Sequence, residues 1–379
     1  MKKHNISKPQ SKLLFIVQLP PPVHGVSMMN NYTVHSKLIN SHYECHTLPL
    51  SFNDSIKDIG NVSFNKLIKF AQFYFKLARI LLFLKPDLVY FTITPTGFSF
   101  YRDAFIVLLV KLTKGKIVLH LHGKGIQKET NKSKVKRYIY NNIFHNTHVI
   151  HLSKSLKTDL TNLEPSFKSY ILPNGILEDS ADDVPFQVNK NQEHPPKLLF
   201  LSNLAENKGV YTLLDAAKIL KDRGVGFSLN YVGKETQAIS VKDLTSKIKQ
   251  YGLEGHVQYL GPKYDNEKKA LLNSSDIFAF PTYNDCFPLA ILEAMQAGMP
   301  VVSTVEGAIP DMIVDGEDGF IINHNEPHTL ADKLQELITD PIKRTRFGVQ
   351  AKNRFQQNFT LTQYEANLYR ILLEIEQGK

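Results

Sequence analysis

Short apolar runs recur along this chain, each followed by a polar loop and then a stretch whose apolar residues return at three- and four-residue spacing. Runs of that length bounded by turn residues predict buried strands, and the intervening patterns predict helices. In the first half the predicted strands are Leu13 to Val17, Tyr43 to Leu48, Leu88 to Ile93, Ile117 to Leu121, His148 to Leu152 and Tyr170 to Leu172. A second set follows at Leu198 to Leu201, Leu229 to Val232, Val257 to Leu260, Ile277 to Phe280, Val301 to Ser303 and Phe320 to Ile322. Strand and helix in alternation predict an α/β protein with parallel sheets. Between the two sets, Glu178 to Lys197 is acidic, polar and punctuated by proline, which predicts a linker. The expected organisation is an N-terminal doubly wound domain over 1–178, a linker over 179–196 and a second such domain over 197–359, with a cleft between them. Ligands of such sheets bind beyond the carboxyl ends of the strands, so the loops after strands are where chemistry is expected.

One predicted helix departs from the pattern. Lys66 to Lys85 is nearly apolar enough for a membrane span, yet Lys66, Lys69, Gln72, Lys76 and Arg79 interrupt it. At 100° per residue these five fall within an arc of about 140°, so the helix is amphipathic rather than transmembrane. It either covers the first sheet with its basic edge in water or lies on an anionic membrane surface. Lys132, Lys134, Lys136 and Arg137 form a second basic cluster with the same two readings.

Composition narrows the classes. The 379 residues are 42% hydrophobic, enough for two ordinary cores, which excludes disorder. The net charge of +9 hides an asymmetry: residues 1–178 carry 24 Lys and Arg against 9 Asp and Glu, and the remainder 21 against 27. A basic half attracts an anionic membrane, a phosphorylated substrate or nucleic acid, and charge alone does not choose. The two cysteines, Cys45 and Cys286, form neither a disulfide framework nor a zinc spacing, which fits a reducing cytoplasm. The N-terminus starts basic, but its apolar run Leu13 to Leu19 is short and ends in prolines, so it is read as the first strand and not as a signal peptide.

The densest chemistry lies in Phe280 to Pro300, a strand, loop and helix in sequence. A helix start offers backbone N–H groups and partial positive charge to a phosphate. Asp285 and Glu293 flank that start, separated by roughly 12 Å if both lie on the helix. The bland alternative makes Asp285 the helix cap, puts Pro288 in the first turn and leaves Glu293 solvated. After the first strand, Pro20 to Ser27 places Gly25 for close backbone approach and Ser27 as a cap of the next helix. The dinucleotide fingerprint G-x-G-x-x-G is absent there, which disfavours hydride transfer. The fourth strand ends in His120-Leu121-His122-Gly123, and alternation puts both histidines on one side with His122 at the carboxyl end. Phe200 to Val210 is again strand, loop and helix, with Lys208 near the helix start, a position that a bound diphosphate would favour.

Together these stretches resemble the retaining GT-B glycosyltransferases of glycosyltransferase family 4 over nearly the whole chain. The similarity is carried by Asp285 to Glu293 as an E-x7-E element continuing into Ala294 to Val302, by Pro173 to Gly175, Lys208-Gly209 and Val232-Gly233, and by Gly307, Gly316 and Gly319. It implies two Rossmann-like domains facing across a cleft, the first binding acceptor, with a C-terminal helix over 360–379 returning to the first domain. It implies that Glu293 holds the nucleotide ribose and Asp285 the donor sugar. The amides of Phe287 and Leu289 would lie along sugar and diphosphate, Lys208 would neutralise the leaving diphosphate, His122 would line the sugar and Gly25 would admit the phosphates. Front-face attack without metal or other cofactor is implied. Two departures stand out: aspartate rather than glutamate at 285, and Asn203 where the family usually carries an arginine among the donor-binding residues. The expected activity is sugar transfer from a nucleotide diphosphate to a glycan acceptor, in bacterial surface polysaccharide assembly. The expected acceptor is carried on a polyprenyl diphosphate at the cytoplasmic membrane face, with peripheral membrane contact and no nucleic acid. A nucleotide-sugar epimerase of this fold and a non-catalytic glycan or nucleotide binder are the alternatives.

Overall fold

The computed structural model describes residues 10–50, 64–179 and 195–378, with side chains from Ile68 onward in the second segment. The chain divides into two compact units, Met1–Asn174 with Leu361–Lys379, and Gly175–Thr360. The expected linker lies, between Ser180 and His194, outside the described residues.

In the first unit the order is β1 (Lys12–Val17), α1 (Gly25–His35), α2 (Lys37–His42), β2 (Glu44–Pro49), α3 (Phe64–Arg79), β3 (Leu88–Ile93), α4 (Gly97–Lys111), β4 (Lys116–Leu121), α5 (Ile126–Lys132), α6 (Lys134–Phe144), β5 (His148–His151) and β6 (Lys168–Ile171). In the second it is β7 (Lys197–Leu201), α7 (Val210–Asp222), β8 (Ser228–Val232), α8 (Val241–Gln250), β9 (Val257–Tyr259), α9 (Asp265–Asn273), β10 (Ile277–Phe280), α10 (Leu289–Gln296), β11 (Val301–Thr304), α11 (Ile309–Met312), β12 (Gly319–Ile322), α12 (Pro327–Thr339) and α13 (Pro341–Asn358). The last helix, α14 (Leu361–Gln377), belongs to the first unit.

Each unit is built on one six-stranded sheet, ordered β2-β1-β3-β4-β5-β6 and β12-β11-β10-β7-β8-β9, with every pairing parallel. All twelve predicted strands are present, displaced at their ends by a residue or two. Central strands are covered on both faces, so β3 and β10 are buried at every position and read as unbroken apolar runs. The strand order reverses direction between β1 and β3 in one sheet and between β7 and β10 in the other. Connections leaving adjacent strands in opposite directions open a crevice at their carboxyl ends.

Helix α3 spans most of the stretch expected from Lys66 and continues as a wider π turn, Ile80–Leu84. Phe73, Leu77 and Leu81 join the core under the sheet, with Phe70, Tyr74 and Ile80 packed against it. Helix α14 buries Tyr364, Leu368, Ile371, Leu372 and Ile375. Tyr364 Oη lies 2.7 Å from Thr33 Oγ1 of α1.

Candidate functional site

In the second unit the crevice between β7 and β10 collects the polar side chains. Asn207 receives two hydrogen bonds on its carbonyl from the β10 loop, Thr282 Oγ1 at 2.9 Å and Tyr283 N at 3.0 Å. The loops can meet this closely because residue 209 is glycine. Gly209 sits at φ +79°, and a Cβ there would fall 2.2 Å from the Pro281 carbonyl oxygen. Lys208, ending a short 3-10 turn, is thereby aimed at the second loop, with Nζ 2.6 Å from Asp285 Oδ2 and 3.2 Å from the Asn284 carbonyl. Both charged side chains keep about a fifth of their surface open to solvent (23% and 18%), so a ligand can still reach them.

The bland reading of Asp285 fails. Helix α10 begins at Leu289 with Pro288 as its cap residue, and no side chain caps it. Asp285 lies ahead of the helix, where Oδ1 accepts from the Cys286 amide at 2.9 Å and Oδ2 pairs with Lys208. Its own amide donates to Glu306 Oε1 at 3.0 Å. Glu306, only 4% exposed, places its other oxygen 3.3 Å from His324 Nε2. Gly307, at φ +55°, lets this loop close on the first, since a Cβ would meet the Asp285 carbonyl oxygen at 2.4 Å. Glu293 is not a freely solvated helix residue either: Lys268 Nζ of α9 sits 2.7 Å from its Oε1. Two lysine–carboxylate pairs therefore line the carboxyl end of this sheet, one on the β10 loop and one on α10. Phe287 is buried and meets Phe359 edge-on, Leu289 is half-buried in the first turn of α10, and Asn203 is exposed after β7.

Sequence reasoning missed Lys268, Glu306 and His324. Glu306 and His324 were open to discovery because each follows a strand of this sheet, β11 and β12. Lys268 carried no such signal; it follows β9 at the far edge and reaches Glu293 only because α9 crosses back over the sheet.

Gly25 and His122 lie in the first unit, at carboxyl ends of its own sheet. Gly25 is the exposed first residue of α1. The cap of that helix is His24, not Ser27: His24 Nδ1 accepts from the Ser27 amide at 3.3 Å while Ser27 Oγ accepts from the His24 amide at 3.0 Å. Histidine takes the role because its ring nitrogen is an acceptor when neutral, and burial lowers its pKa. His122 Nε2 is 3.2 Å from His120 Nδ1, and that same nitrogen contacts Tyr90 Oη. Burial, with His24 adding a smaller like-charge effect, pushes His122 down to about 3. His120 is held well below the usual imidazole range by burial, as is His151, down to about 4. These rings are neutral at pH 7, so His122 can orient a hydroxyl by hydrogen bonding but brings no positive charge.

Among the described residues, no group of three or more His, Cys, Asp or Glu side chains could hold a metal ion, and no helix is long and apolar enough to cross a membrane.

Comparison with known proteins bears on this arrangement. Residues 182–354 match the family model described as glycosyl transferases group 1. WcaL of Salmonella typhimurium, named for colanic acid biosynthesis, is 32% identical over 148 residues, covering 38% of this chain and 36% of WcaL. The capsular polysaccharide biosynthesis glycosyltransferase CapM of Staphylococcus aureus is 26% identical over 251 residues, 62% of this chain and 64% of CapM. These matches thus span between about a third and two thirds of the relatives' lengths. Among solved structures, Anabaena HepE in complex with UDP superposes with a TM-score of 0.72 at 20% identity, covering 96% of this chain and 100% of HepE. The WaaG structure, a glycosyltransferase of lipopolysaccharide biosynthesis, gives 0.66 at 17% identity over 97% and 100%. The fold is that of the GT-B glycosyltransferases.

Proposed function

We propose that this chain, a member of the glycosyl transferases group 1 family by its residues 182–354, is a retaining glycosyltransferase that moves a sugar from a nucleotide diphosphate to a glycan acceptor. The observation that carries the reading is the pair of lysine-held carboxylates at the carboxyl end of the second sheet, Lys208 with Asp285 and Lys268 with Glu293. A nucleotide sugar matches both. Its ribose hydroxyls donate to Glu293, its sugar hydroxyls to Asp285, and its diphosphate draws Lys208 out of the ion pair. Lys268 supplies a second cation, compensating for Asn203 in place of the family's arginine. The charge that develops on the departing diphosphate is then met by the two lysines, which lowers the barrier without a metal. The amides of Phe287 and Leu289 extend the same surface toward the phosphates. In the first unit Gly25 keeps the β1 loop free of a side chain, and neutral His122 can orient a hydroxyl by hydrogen bonding. With the leaving phosphate assisting deprotonation of the acceptor, attack occurs from the face the diphosphate leaves, and configuration is retained.

The names of WcaL and CapM support bacterial surface polysaccharide assembly as the setting. The basic first half fits an acceptor carried on a polyprenyl diphosphate at the cytoplasmic face of a membrane. Incubation with UDP-, GDP- and ADP-sugars, with and without a lipid-linked oligosaccharide, tests the proposal. Acceptor-dependent nucleotide release with an α-configured product from an α-configured donor supports it. Formation of an epimer without nucleotide release identifies an epimerase, and binding without turnover identifies a glycan or nucleotide binder; either result overturns it.

A further inference from the structure

Behind His122, where α1 and α14 meet the sheet of the first unit, lies a polar cluster closed off from solvent. Asn30, Thr33, Tyr90, Thr92, His120 and Tyr364 are all buried. Buried polar groups are satisfied from within, so the hydrogens of such a cluster can be assigned one by one from who is already committed to whom.

Asn30 fixes one end. Its Nδ2 donates to the Gln18 carbonyl at 2.9 Å, which turns Oδ1 toward Thr92, and Thr92 Oγ1 donates to that oxygen at 2.8 Å. Thr33 Oγ1 donates to the Met29 carbonyl one turn back in α1, also at 2.9 Å. With that hydrogen spent, the donor across the 2.7 Å contact between Thr33 Oγ1 and Tyr364 Oη is the tyrosine. Tyr90 interacts with all three of these hydroxyls, on Tyr364, Thr33 and Thr92, and its Oη also contacts His120 Nδ1. None of the three has a hydrogen left to give, whereas each has a lone pair to receive one. The Tyr90 hydrogen therefore goes to an oxygen, and the donor left for the Tyr90 oxygen is His120, with its proton on Nδ1. In the opposite assignment Tyr90 donates to Nδ1 and the imidazole proton sits on Nε2, which meets no protein group among the described residues. A buried N–H without an acceptor is rarer in folded proteins than an unfilled lone pair.

The assignment carries over to the next ring. His122 Nε2 lies 3.2 Å from the same His120 Nδ1, with the ring centres 4.0 Å apart. The Nδ1–H of His120 is shared between Tyr90 Oη and His122 Nε2. Facing that N–H, His122 Nε2 is the bare nitrogen, and since burial keeps the ring neutral at pH 7 its single proton is on Nδ1. Histidine free in water prefers the other tautomer, with the proton on Nε2. The side chain of His122 is only partly buried, and among the described residues its ring is hydrogen-bonded through Nε2 alone, so the Nδ1–H is what a ligand meets.

We propose that His120 is a positioning residue: held by Tyr90 with its proton on Nδ1, it donates to His122 Nε2 and fixes His122 as the Nδ1–H tautomer. The first unit then offers its ligand a neutral donor, and no acceptor, at that point. A hydrogen bond between His122 and a ligand hydroxyl has one direction, from the ring to the hydroxyl oxygen, and the hydrogen of that hydroxyl is left for another acceptor. The tautomer follows from the cluster alone; the glycosyltransferase reading enters only in naming the hydroxyl as one of a sugar.

The test is long-range proton–nitrogen correlation NMR at pH 7 on the full chain, labelled at its histidine ring nitrogens, with His122→Gln identifying the His122 signals among those of the 14 histidines. In the wild type, His122 should show a protonated Nδ1 and a bare Nε2. His120→Phe keeps a ring in the pocket but removes the donor; His122 should revert to the Nε2–H form, and kcat should fall about tenfold with the nucleotide Kd unchanged. His120→Asn, whose amide nitrogen falls where Nδ1 lies, should restore the Nδ1–H form and return kcat to within about threefold of wild type. A wild-type His122 in the Nε2–H form overturns the proposal however the variants fold. So does a His120→Phe chain that keeps the Nδ1–H form, or a His120→Asn chain that melts like the wild type without restoring it. Reversion of the tautomer at wild-type kcat would overturn the positioning role. The expected tautomers in a chain that turns over no nucleotide sugar would instead overturn the glycosyltransferase reading and leave the assignment standing.

Discussion

At the scale of residues, the proposed function divides the work of the two acidic side chains. If Glu293 bonds to the ribose, a part of the donor that does not change during reaction, Glu293→Gln should raise the nucleotide Kd about tenfold and change kcat little. If Asp285 holds the sugar next to the reacting centre, Asp285→Asn should lower kcat by about tenfold or more with Kd nearly unchanged. Titration calorimetry with the nucleotide, beside steady-state kinetics, separates the two, and wild-type values for both variants would contradict the assignment. The buried histidines make a second prediction. Burial pushes His151 down to about 4 in the folded chain, whereas an imidazole in the unfolded chain titrates near its ordinary value of about 6.5. Between those values the unfolded chain binds a proton that the folded one does not, so stability is full above about pH 6.5 and is lost as pH falls toward 4. The slope approaches about 1.4 kcal/mol per pH unit for each such group, and His120 adds to it with the same sign. Thermal melts from pH 7 to pH 4.5 should show the decline, and His151→Gln should make it shallower by one proton's worth.

At the scale of elements, the site depends on how closely loops approach. Lys208 reaches Asp285 because Gly209 admits the Pro281 carbonyl where any side chain would collide. Gly209→Ala must either strain a left-handed residue or push the loops apart. The expected result is a loss of about 1–3 kcal/mol in denaturant unfolding together with a fall in kcat/KM larger than the stability change explains. An equal kcat/KM would show that the Lys208 pairing is not needed for turnover. The sequence displayed Lys208-Gly209 and Asp285 to Glu293 as separate motifs seventy-odd residues apart. What it withheld were the partners supplied by other strands: Glu306 behind the Asp285 amide and Lys268 on Glu293. Long-range contacts of single polar side chains leave no periodicity in the sequence. Helix α3 makes the complementary point. Its basic arc was legible, but only the packing revealed that Phe73, Leu77 and Leu81 are spent on the core, while the broader exposed apolar face is on α4.

At the scale of the whole molecule, the chain leaves its first unit near Asn174 and re-enters it at Leu361. The core of the first unit is thus completed by residues 361–379, far from the rest of that unit in sequence. Leu368, fully buried between α14 and that core, should cost about 2–5 kcal/mol when truncated to alanine. Urea unfolding followed by a probe in the first unit measures it, and nucleotide binding by the second unit should be unaffected.

The amino-acid sequence by itself determined the twelve strands, their parallel α/β class, the amphipathic helix, the charge asymmetry and the family resemblance. These are local properties, written in periodicities of two and 3.6 residues, in turn residues and in contiguous motifs. Only the tertiary structure decided which carboxylate meets which lysine, that Asp285 stands ahead of its helix rather than capping it, and that α4 is left with an apolar face in solvent. Those outcomes depend on strand order and on the close approach of loops distant in sequence, and no short-range pattern records them.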